Sequence, residues 1–309
     1  MKKPIVIAGN GPSLAQIDYR RLPADFDVFR CNQFYFEDKY FLGRHVTGAF
    51  LNPSVVQQQY FNFKMLEESE DYIIDQKYLV SDTPDTDSEL NFPGAKNIFY
   101  LLETMPQFHE LQKFLSFYYQ KYFTSSIYML ITALALGYQE IYLVGLDFYQ
   151  GGGMNYAFDT EKPRLLASMP NMKKRNFRDP RHSKDIDLMG LNLAKQMPEI
   201  HLYCVSEAGC LKDYVPLAQV QNQNPMTPEN KGTDSIKDFL PLPHRYTGGK
   251  VTNLFQFLGL LHEYNALKGT FLGQLIRDLW IITQSVIKIL IGLFRQLFRI
   301  CRDRKKRKT

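Results

Sequence analysis

Short apolar runs that end in polar loops recur at Ile5 to Ala8, Phe26 to Phe29, Val46 to Leu51, Ile141 to Gly145 and Leu202 to Val205, with helix-period patterns between several of them. This alternation predicts a parallel α/β sheet. Thr124 to Tyr138, rich in Ala, Leu, Ile and Met and running into Gly137, predicts a buried helix feeding a strand over Glu140 to Leu146. Met1 to Pro4 leads directly into Ile5-Val6-Ile7 with only a short apolar stretch, which predicts a buried strand and not a secretory leader.

The pattern breaks in three places. From Phe148 to about Ser183 the chain carries Gly151, Gly152 and Gly153, prolines and mixed charge, as a long loop beside a site would. Gln219 to Lys237, rich in Asn, Gln, Pro and Lys, predicts a peripheral excursion or linker. Beyond Lys268 apolar residues such as Leu275, Leu279, Trp280, Val286, Leu290 and Phe294 dominate. Yet Arg277, Gln284, Lys288, Arg295, Arg299 and Arg302 recur at steps of 7, 4, 7, 4 and 3. At about 100° per residue those six fall on one narrow face. No uncharged run there reaches the ~18 residues of a spanning helix, so the expectation is an amphipathic helix lying in a membrane interface. The competing expectation is a helix packed on its own domain or on an identical subunit.

Composition refines this picture. With 309 residues, 45% hydrophobic and 14% aromatic, the chain can bury a large core and falls outside the disordered class. Its net charge of +5 hints at an acidic partner, but Arg302 to Lys308 alone holds six cations and one acid. The rest is neutral, which argues against nucleic acid and adds attraction to an anionic leaflet. Cys31, Cys204, Cys210 and Cys301 are scattered without a C-x-x-C pair, arguing against a zinc site or a disulfide framework and for reduced thiols.

Open α/β sheets bind ligands beyond the carboxyl ends of their strands. Gly9-Asn10-Gly11-Pro12-Ser13 follows the first strand, Asn32-Gln33 the second and Asn52-Pro53-Ser54 the third. Three strands thus bring an amide to one rim. Amides suit a neutral base edge or a ribose, and glycines let backbone approach a phosphate. The loop is neither a Walker loop nor, with Leu14 in place of a third glycine, a dinucleotide fingerprint. Each Asn read singly is a helix or turn cap.

Four blocks carry a resemblance. They are Val6 to Leu14 (VIAGNGPSL), Asp27 to Tyr40 (DVFRCNQFYFEDKY), Asp147 to Gln150 with Tyr156 to Thr160, and His182-Ser183-Lys184. In this order they resemble glycosyltransferase family 42, the sialyltransferases of Campylobacter and Haemophilus lipooligosaccharide synthesis, over about Met1 to Tyr214. The resemblance implies a single Rossmann-like catalytic domain of the GT-A variant type over residues 1–245. A lid at about 149–183 would cover the donor, CMP-sialic acid, with no cofactor and no metal required; residues 246–309, beyond the resemblance, are expected from their own pattern to be a C-terminal helical membrane-association segment. On that reading Gly9, Asn10, Gly11, Ser13, Asn32, Gln33, Asn52, Gln59 and Asp147 hold the donor, and Thr124-Ser125 matches a Thr-Ser pair near the sialic acid carboxylate. Tyr149 and Tyr156 match two tyrosines on the leaving phosphate, and His182 matches the general base. The partners implied are a glycan acceptor on a lipid-linked oligosaccharide and an anionic membrane surface at the cytoplasmic side of the bacterial inner membrane. A homo-oligomer is expected, a tetramer being the specific form considered.

Elementary chemistry points the same way for these residues. Inverting transfer needs one base for the acceptor hydroxyl, and a histidine of ordinary pKa ~6.5 suits neutral pH. Of six histidines only His182 sits in the polar segment directly after the loop. His45, His201 and His262 adjoin apolar or regular segments and are expected to be structural, while His109 and His244 are undecided. The competing metal-dependent reading would use Asp25-Phe26-Asp27, Asp85-Thr86-Asp87 or Asp185-Ile186-Asp187. The first is expected to begin a strand, the second to lie in a polar loop and the third to open a helix. A membrane-peripheral nucleotide-binding scaffold without turnover is the alternative from another class. Tyr122 stands where the family has Arg, Asp179 where it has Tyr, and residues 60–121 match poorly, so linkage and acceptor are not inherited.

Overall fold

The structure is a computed structural model that describes residues 2–81, 92–148, 156–168 and 181–232, and helical positions between 275 and 294. Nine strands are described: β1 (Ile5–Ala8), β2 (Asp27–Cys31), β3 (Lys39–Tyr40), β4 (His45–Leu51), β5 (Ile73–Leu79), β6 (Ala95–Asn97), β7 (Glu140–Val144), β8 (His201–Cys204) and β9 (Glu229–Asn230). The helices are α1 (Val56–Glu68), α2 (Phe99–Glu103), α3 (Pro106–Phe114), α4 (Ser125–Ala135), α5 (Pro163–Ser168) and α6 (Lys184–Lys195).

Seven strands form one parallel sheet in the order β6-β5-β4-β2-β1-β7-β8. All five expected strands are present. β5 and β6 were not foreseen, because Asp75, Gln76 and Lys77 interrupt the apolar run of one and the other is three residues long. The short pair β3 and β9 is antiparallel; it gives the polar stretch from Gln219 a fixed place. Gln221 adds a hydrogen bond from Nε2 to the Tyr142 hydroxyl at 3.0 Å.

Alternate residues of β1 enter different cores. Ile5 and Ile7 pack with α4 and α6, whereas Val6 and Ala8 pack with Leu14, Leu22 and Val205. A strand covered on both faces must be apolar throughout, hence the unbroken Ile5-Val6-Ile7-Ala8. A third cluster gathers Phe34, Tyr35, Phe36 and Phe63 around β4 and α1.

Helix α4 ends as its sequence foretells: Leu136 caps it and Gly137 follows at φ +83°. That left-handed turn is the glycine stop of a helix, and it swings the chain into β7. Ile127 to Leu134 are all buried, which makes α4 the central brace of the sheet.

The chain divides into two compact units, Met1–Leu115 with Lys121–Tyr246, and Ser116–Gln120 with Thr247–Thr309. In the second, the described positions from Leu275 to Phe294 are helical and their apolar side chains are 46 to 63% exposed. Among the described residues no helix is long and apolar enough to cross a membrane.

Candidate functional site

Strand order reverses direction at β1. From it the chain runs out through β2, β4, β5 and β6, and then returns to place β7 on the other side. The crevice beyond the carboxyl ends of β1 and β7 is therefore the topological switch point. Gly9 and Gly145 cross there in contact: a Cβ on Gly9 would lie 2.3 Å from the Gly145 carbonyl oxygen. Gly9 N–H donates to the Val144 carbonyl and Gly11 N–H to the Gly145 carbonyl, both at 2.9 Å.

Beneath this loop lie Ser13 and Asp147, both buried. The Asp147 Oδ2 accepts from Ser13 N–H at 3.0 Å and Ser13 Oγ at 2.9 Å, and Gly145 N–H donates to Ser13 Oγ at 3.1 Å. Ser13 thus spends its hydroxyl on protein and, with Asp147, braces the loop. Burial raises the Asp147 pKa, and the two bonds from Ser13 pull it back down.

The amides lie at the loops after β1, β2 and β4. Asn10 Nδ2 donates to the Cys31 carbonyl at 3.0 Å, Asn32 Nδ2 to Ser125 Oγ at 3.3 Å, and Asn52 N–H to Gln59 Oε1 at 2.6 Å. Asn32 adopts φ +56°, a left-handed turn that Asn tolerates better than other side chains. These bonds use one end of the Asn10, Asn32 and Gln59 amides and leave the other. Asn10 Oδ1, Asn32 Oδ1, Gln33 Nε2 and Gln59 Nε2 are buried without a hydrogen-bond partner. An unsatisfied buried polar atom costs about 1–3 kcal/mol, so four of them around adjacent strand ends mark a site shaped for a polar ligand.

Tyr156 borders the glycine loop. Ala157 N–H donates to the Asn10 carbonyl at 2.8 Å, and the Tyr156 ring stacks on Phe158 with centroids 5.3 Å apart. Burial pushes its hydroxyl up to about 12, so it stays protonated and able to donate at neutral pH. Tyr149 lies outside the described residues, as do most of the expected lid, Asp179, His244 and His262. The part of that loop described, residues 156–168, packs on the domain: Leu165 is fully buried and Lys162 Nζ donates to the Phe36 carbonyl at 2.8 Å.

His182 is fixed from one side. Its Nδ1 lies 2.9 Å from the Tyr122 carbonyl oxygen, which can only accept, so Nδ1 carries the proton and Nε2 the lone pair in the neutral ring. Tyr122 N–H in turn donates to the Arg181 carbonyl at 3.0 Å. Thr124 caps α4 and donates from N and Oγ1 to Asp187, both at 2.9 Å. Asp187 is buried, and desolvation raises its pKa to about 7 against the pull of both Thr124 bonds. Its role was missed, because nothing in the spacing of residues 124 and 187 announces a contact.

The remaining histidines and acids are elsewhere engaged. His45 opens β4 and pairs with Asp75 at 2.8 Å, and His201 opens β8. The His109 ring meets Phe99 edge-on at 5.5 Å, and burial lowers its pKa. Asp25 pairs with Lys3, Asp27 begins β2 and accepts from the Tyr138 hydroxyl, and Asp185 and Asp187 lie in the first turn of α6. Asp85 and Asp87 lie outside the described residues. Among the described residues no group of three or more His, Cys, Asp or Glu side chains could hold a metal ion.

The chain is similar to known proteins in sequence and in fold. A family model described as alpha-2,3-sialyltransferase (CST-I) matches residues 3–291. The chain is similar to the monofunctional alpha-2,3-sialyltransferase Cst-I of Campylobacter jejuni, with 34% identity over 83% of this chain and 93% of that one, at a TM-score of 0.72. It is similar also to the sialyltransferase CstII of Campylobacter jejuni in complex with a substrate analogue, CMP-3FNeuAc. There the identity is 36% over 82% of this chain and 99% of that one, with a TM-score of 0.71. CST-II in complex with a trisaccharide acceptor and CMP matches with 36% identity over 82% of this chain and 99% of that one, at 0.68. An uncharacterized protein of Haemophilus influenzae is 32% identical over 123 residues, 40% of this chain and 53% of that protein, so the chain spans about half the length of this curated relative.

Proposed function

Because the chain belongs to the alpha-2,3-sialyltransferase (CST-I) family, we propose that it transfers sialic acid from CMP-sialic acid to a galactose-terminated or sialylated glycan, with inversion and without a metal ion. The observation that carries this reading is the row of buried amide atoms without partners, Asn10 Oδ1, Asn32 Oδ1, Gln33 Nε2 and Gln59 Nε2, around the switch point. Such groups recover their desolvation cost on a ligand rich in neutral donors and acceptors, as a cytidine, a ribose and a sugar are.

In the proposed reaction His182 Nε2 takes the proton of the acceptor hydroxyl while that oxygen bonds to the anomeric carbon of sialic acid. The bond from that carbon to the phosphate oxygen of CMP breaks, and the phosphate leaves with the electron pair. Tyr156, joined by Tyr149, donates hydrogen bonds to the phosphate as its charge grows. The N-terminus of α4 at Ser125 suits the sialic acid carboxylate because a helix N-terminus favours an anion, while Thr124 holds that end through its two bonds to Asp187. Neutral phenols and backbone N–H groups supply the stabilisation that a cation supplies elsewhere, and closure of the loop over residues 149–183 keeps water from the donor.

The reading extends to location. The described apolar positions Leu275, Ile276, Leu279, Trp280, Ile282, Val286, Ile287, Ile289, Leu290, Leu293 and Phe294 fall on one half of a helix and are exposed. By sequence Arg277, Gln284, Lys288 and Arg295 fall on the other half. This supports a peripheral helix at the cytoplasmic face of the bacterial inner membrane, near a lipid-linked acceptor. A homo-oligomer, up to a tetramer, belongs to the same proposal.

Incubation with CMP-sialic acid and a galactose-terminated acceptor in excess chelator tests the activity. Sialylated product with the 3-linkage is expected. Binding of CMP without turnover would make the protein a scaffold, and turnover lost to chelator and restored by a divalent cation would make it a metal enzyme.

A further inference from the structure

The segment that carries His182 is tied to the mouth of α4 by four hydrogen bonds. Tyr122 N–H donates to the Arg181 carbonyl at 3.0 Å, His182 Nδ1 to the Tyr122 carbonyl at 2.9 Å, and Thr124 donates twice to Asp187 at 2.9 Å. The first two bonds are to the backbone of Tyr122, so they follow wherever that strand of chain goes. Asp187 instead grips the N-cap of α4 with its side chain. Thr124 stands at the N-cap but makes no cap bond within its own helix; its N–H and hydroxyl both point to a carboxylate from another helix.

Three further observations make Asp187 a placed device. It is 3% exposed, so its two bonds are made away from water, where losing one leaves a costly orphan. Gly190, three residues on and on the same side of α6, lets the two helices touch: a Cβ there would lie 2.7 Å from Ile127 Cγ2 and 3.1 Å from Phe123 Cε1. Third, Ser125, next to Thr124, receives the hydrogen bond of Asn32 at 3.3 Å. A continuous path of contacts thus runs from Asn32 through Ser125, Thr124 and Asp187 into α6. It closes through Ser183, whose Oγ caps that helix by accepting from Ile186 N–H at 3.4 Å, to the neighbouring His182.

We propose that Asp187 is a positioning residue of sialyl transfer: by holding Thr124 from outside α4, it sets the separation between the His182 imidazole and the donor rim at Asn32 and Ser125. This rests on the function proposed above. A fixed sugar hydroxyl has one line of attack, so a base displaced by a fraction of an ångström serves it badly. Water is small and can follow the base. Loosening the tie should therefore depress transfer more than hydrolysis of the donor.

The test is Asp187→Asn in the full chain, which keeps shape but puts a donating NH2 in place of one of the two oxygens that accept from Thr124. The readout is the ratio of donor hydrolysis to transfer at saturating acceptor, which does not depend on the fraction of folded protein, with CMP stoichiometry by calorimetry beside it. The ratio is expected to rise about 10-fold, with one CMP still bound per chain. An unchanged ratio in folded Asp187→Asn protein overturns the proposal. Should that variant not fold, Thr124→Val removes the hydroxyl half of the same tie and is judged by the same ratio. If the wild-type chain shows no turnover, the function proposed above fails and not this tie. Solvent exchange of the His182 Nδ1 proton, read by nuclear magnetic resonance, then decides: about 10-fold faster exchange in Asp187→Asn supports the tie, and equal exchange overturns it.

Discussion

At the scale of single residues, the site combines groups that are held with groups that are left to be used. His182 has its Nδ1 proton committed to the Tyr122 carbonyl, so its tautomer is set before any substrate arrives. General-base catalysis is worth about 10²- to 10⁴-fold. His182→Ala is accordingly expected to lose transfer by that factor, while calorimetry finds CMP affinity within about 3-fold of wild type. Asp187 adds a signature in stability. Its pKa is raised from 3.8 to about 7, so between those values the unfolded chain has released this proton and the folded one has kept it. Stability attributable to this group is full below pH 3.8 and falls as pH rises towards 7. Urea titrations across that window should show the decline in wild type and a flatter profile in Asp187→Asn, whose amide does not titrate. His182 stands out in the sequence as a candidate because chemistry restricts a neutral-pH base to few residue types; Asp187 does not, since a buried carboxylate reads like any helix-opening acid.

At the scale of elements, the rim depends on how tightly the turns after the strands are clasped. Arg30, at the end of β2, is 1% exposed in its side chain and pairs with Glu37, 0% exposed, at 2.8 Å; the Tyr72 hydroxyl adds a bond to Glu37 at 3.0 Å. This pair brackets the turn that presents Asn32 and Gln33. Removing one partner of a buried pair typically costs 3–5 kcal/mol because the other charge is left uncompensated. Arg30→Met is expected to lower unfolding free energy by about that much, read from denaturant midpoints, and to weaken CMP binding as the turn loosens. Gly9→Ala acts on the neighbouring turn. Its Cβ has no room beside the Gly145 carbonyl, and loss of CMP binding is expected in calorimetry, with the melting temperature as a check on folding. Strands β1, β2, β4 and β7 were legible because burial on both faces leaves a dense apolar run, and the edge strand β8 because its buried Leu202 and Cys204 run on into the buried Val205. β5 and β6 lie towards the edge of the sheet, where fewer apolar positions are demanded.

At the scale of the whole molecule, two requirements are met by different parts of the chain. The α/β unit builds a crevice at the reversal of strand order, and the C-terminal helical positions present apolar side chains to solvent. An exposed apolar face of this kind needs a partner surface. Vesicle flotation with anionic lipid is expected to recover the full chain and to lose the chain shortened by Lys268 to Thr309. The shortened protein should still act on a soluble acceptor. Co-sedimentation of both forms would remove the membrane role from that helix.

The residues alone settled the parallel α/β class, most of its strands, helix α4 with its glycine stop, and the amide rim, because each of these follows from local periodicity or from what lies just past a strand. Tertiary structure decided the order of the strands and hence which rim is the switch point. It decided too that Ser13 and Asp147 brace one another, that Arg30 and Glu37 share a buried pair, and that Asp187 grips Thr124. Those contacts join positions that the chain separates by anything from 7 to 134 residues. Such pairings are chosen by burial and by the need to satisfy polar groups once water has gone, and no local pattern in the sequence encodes that choice.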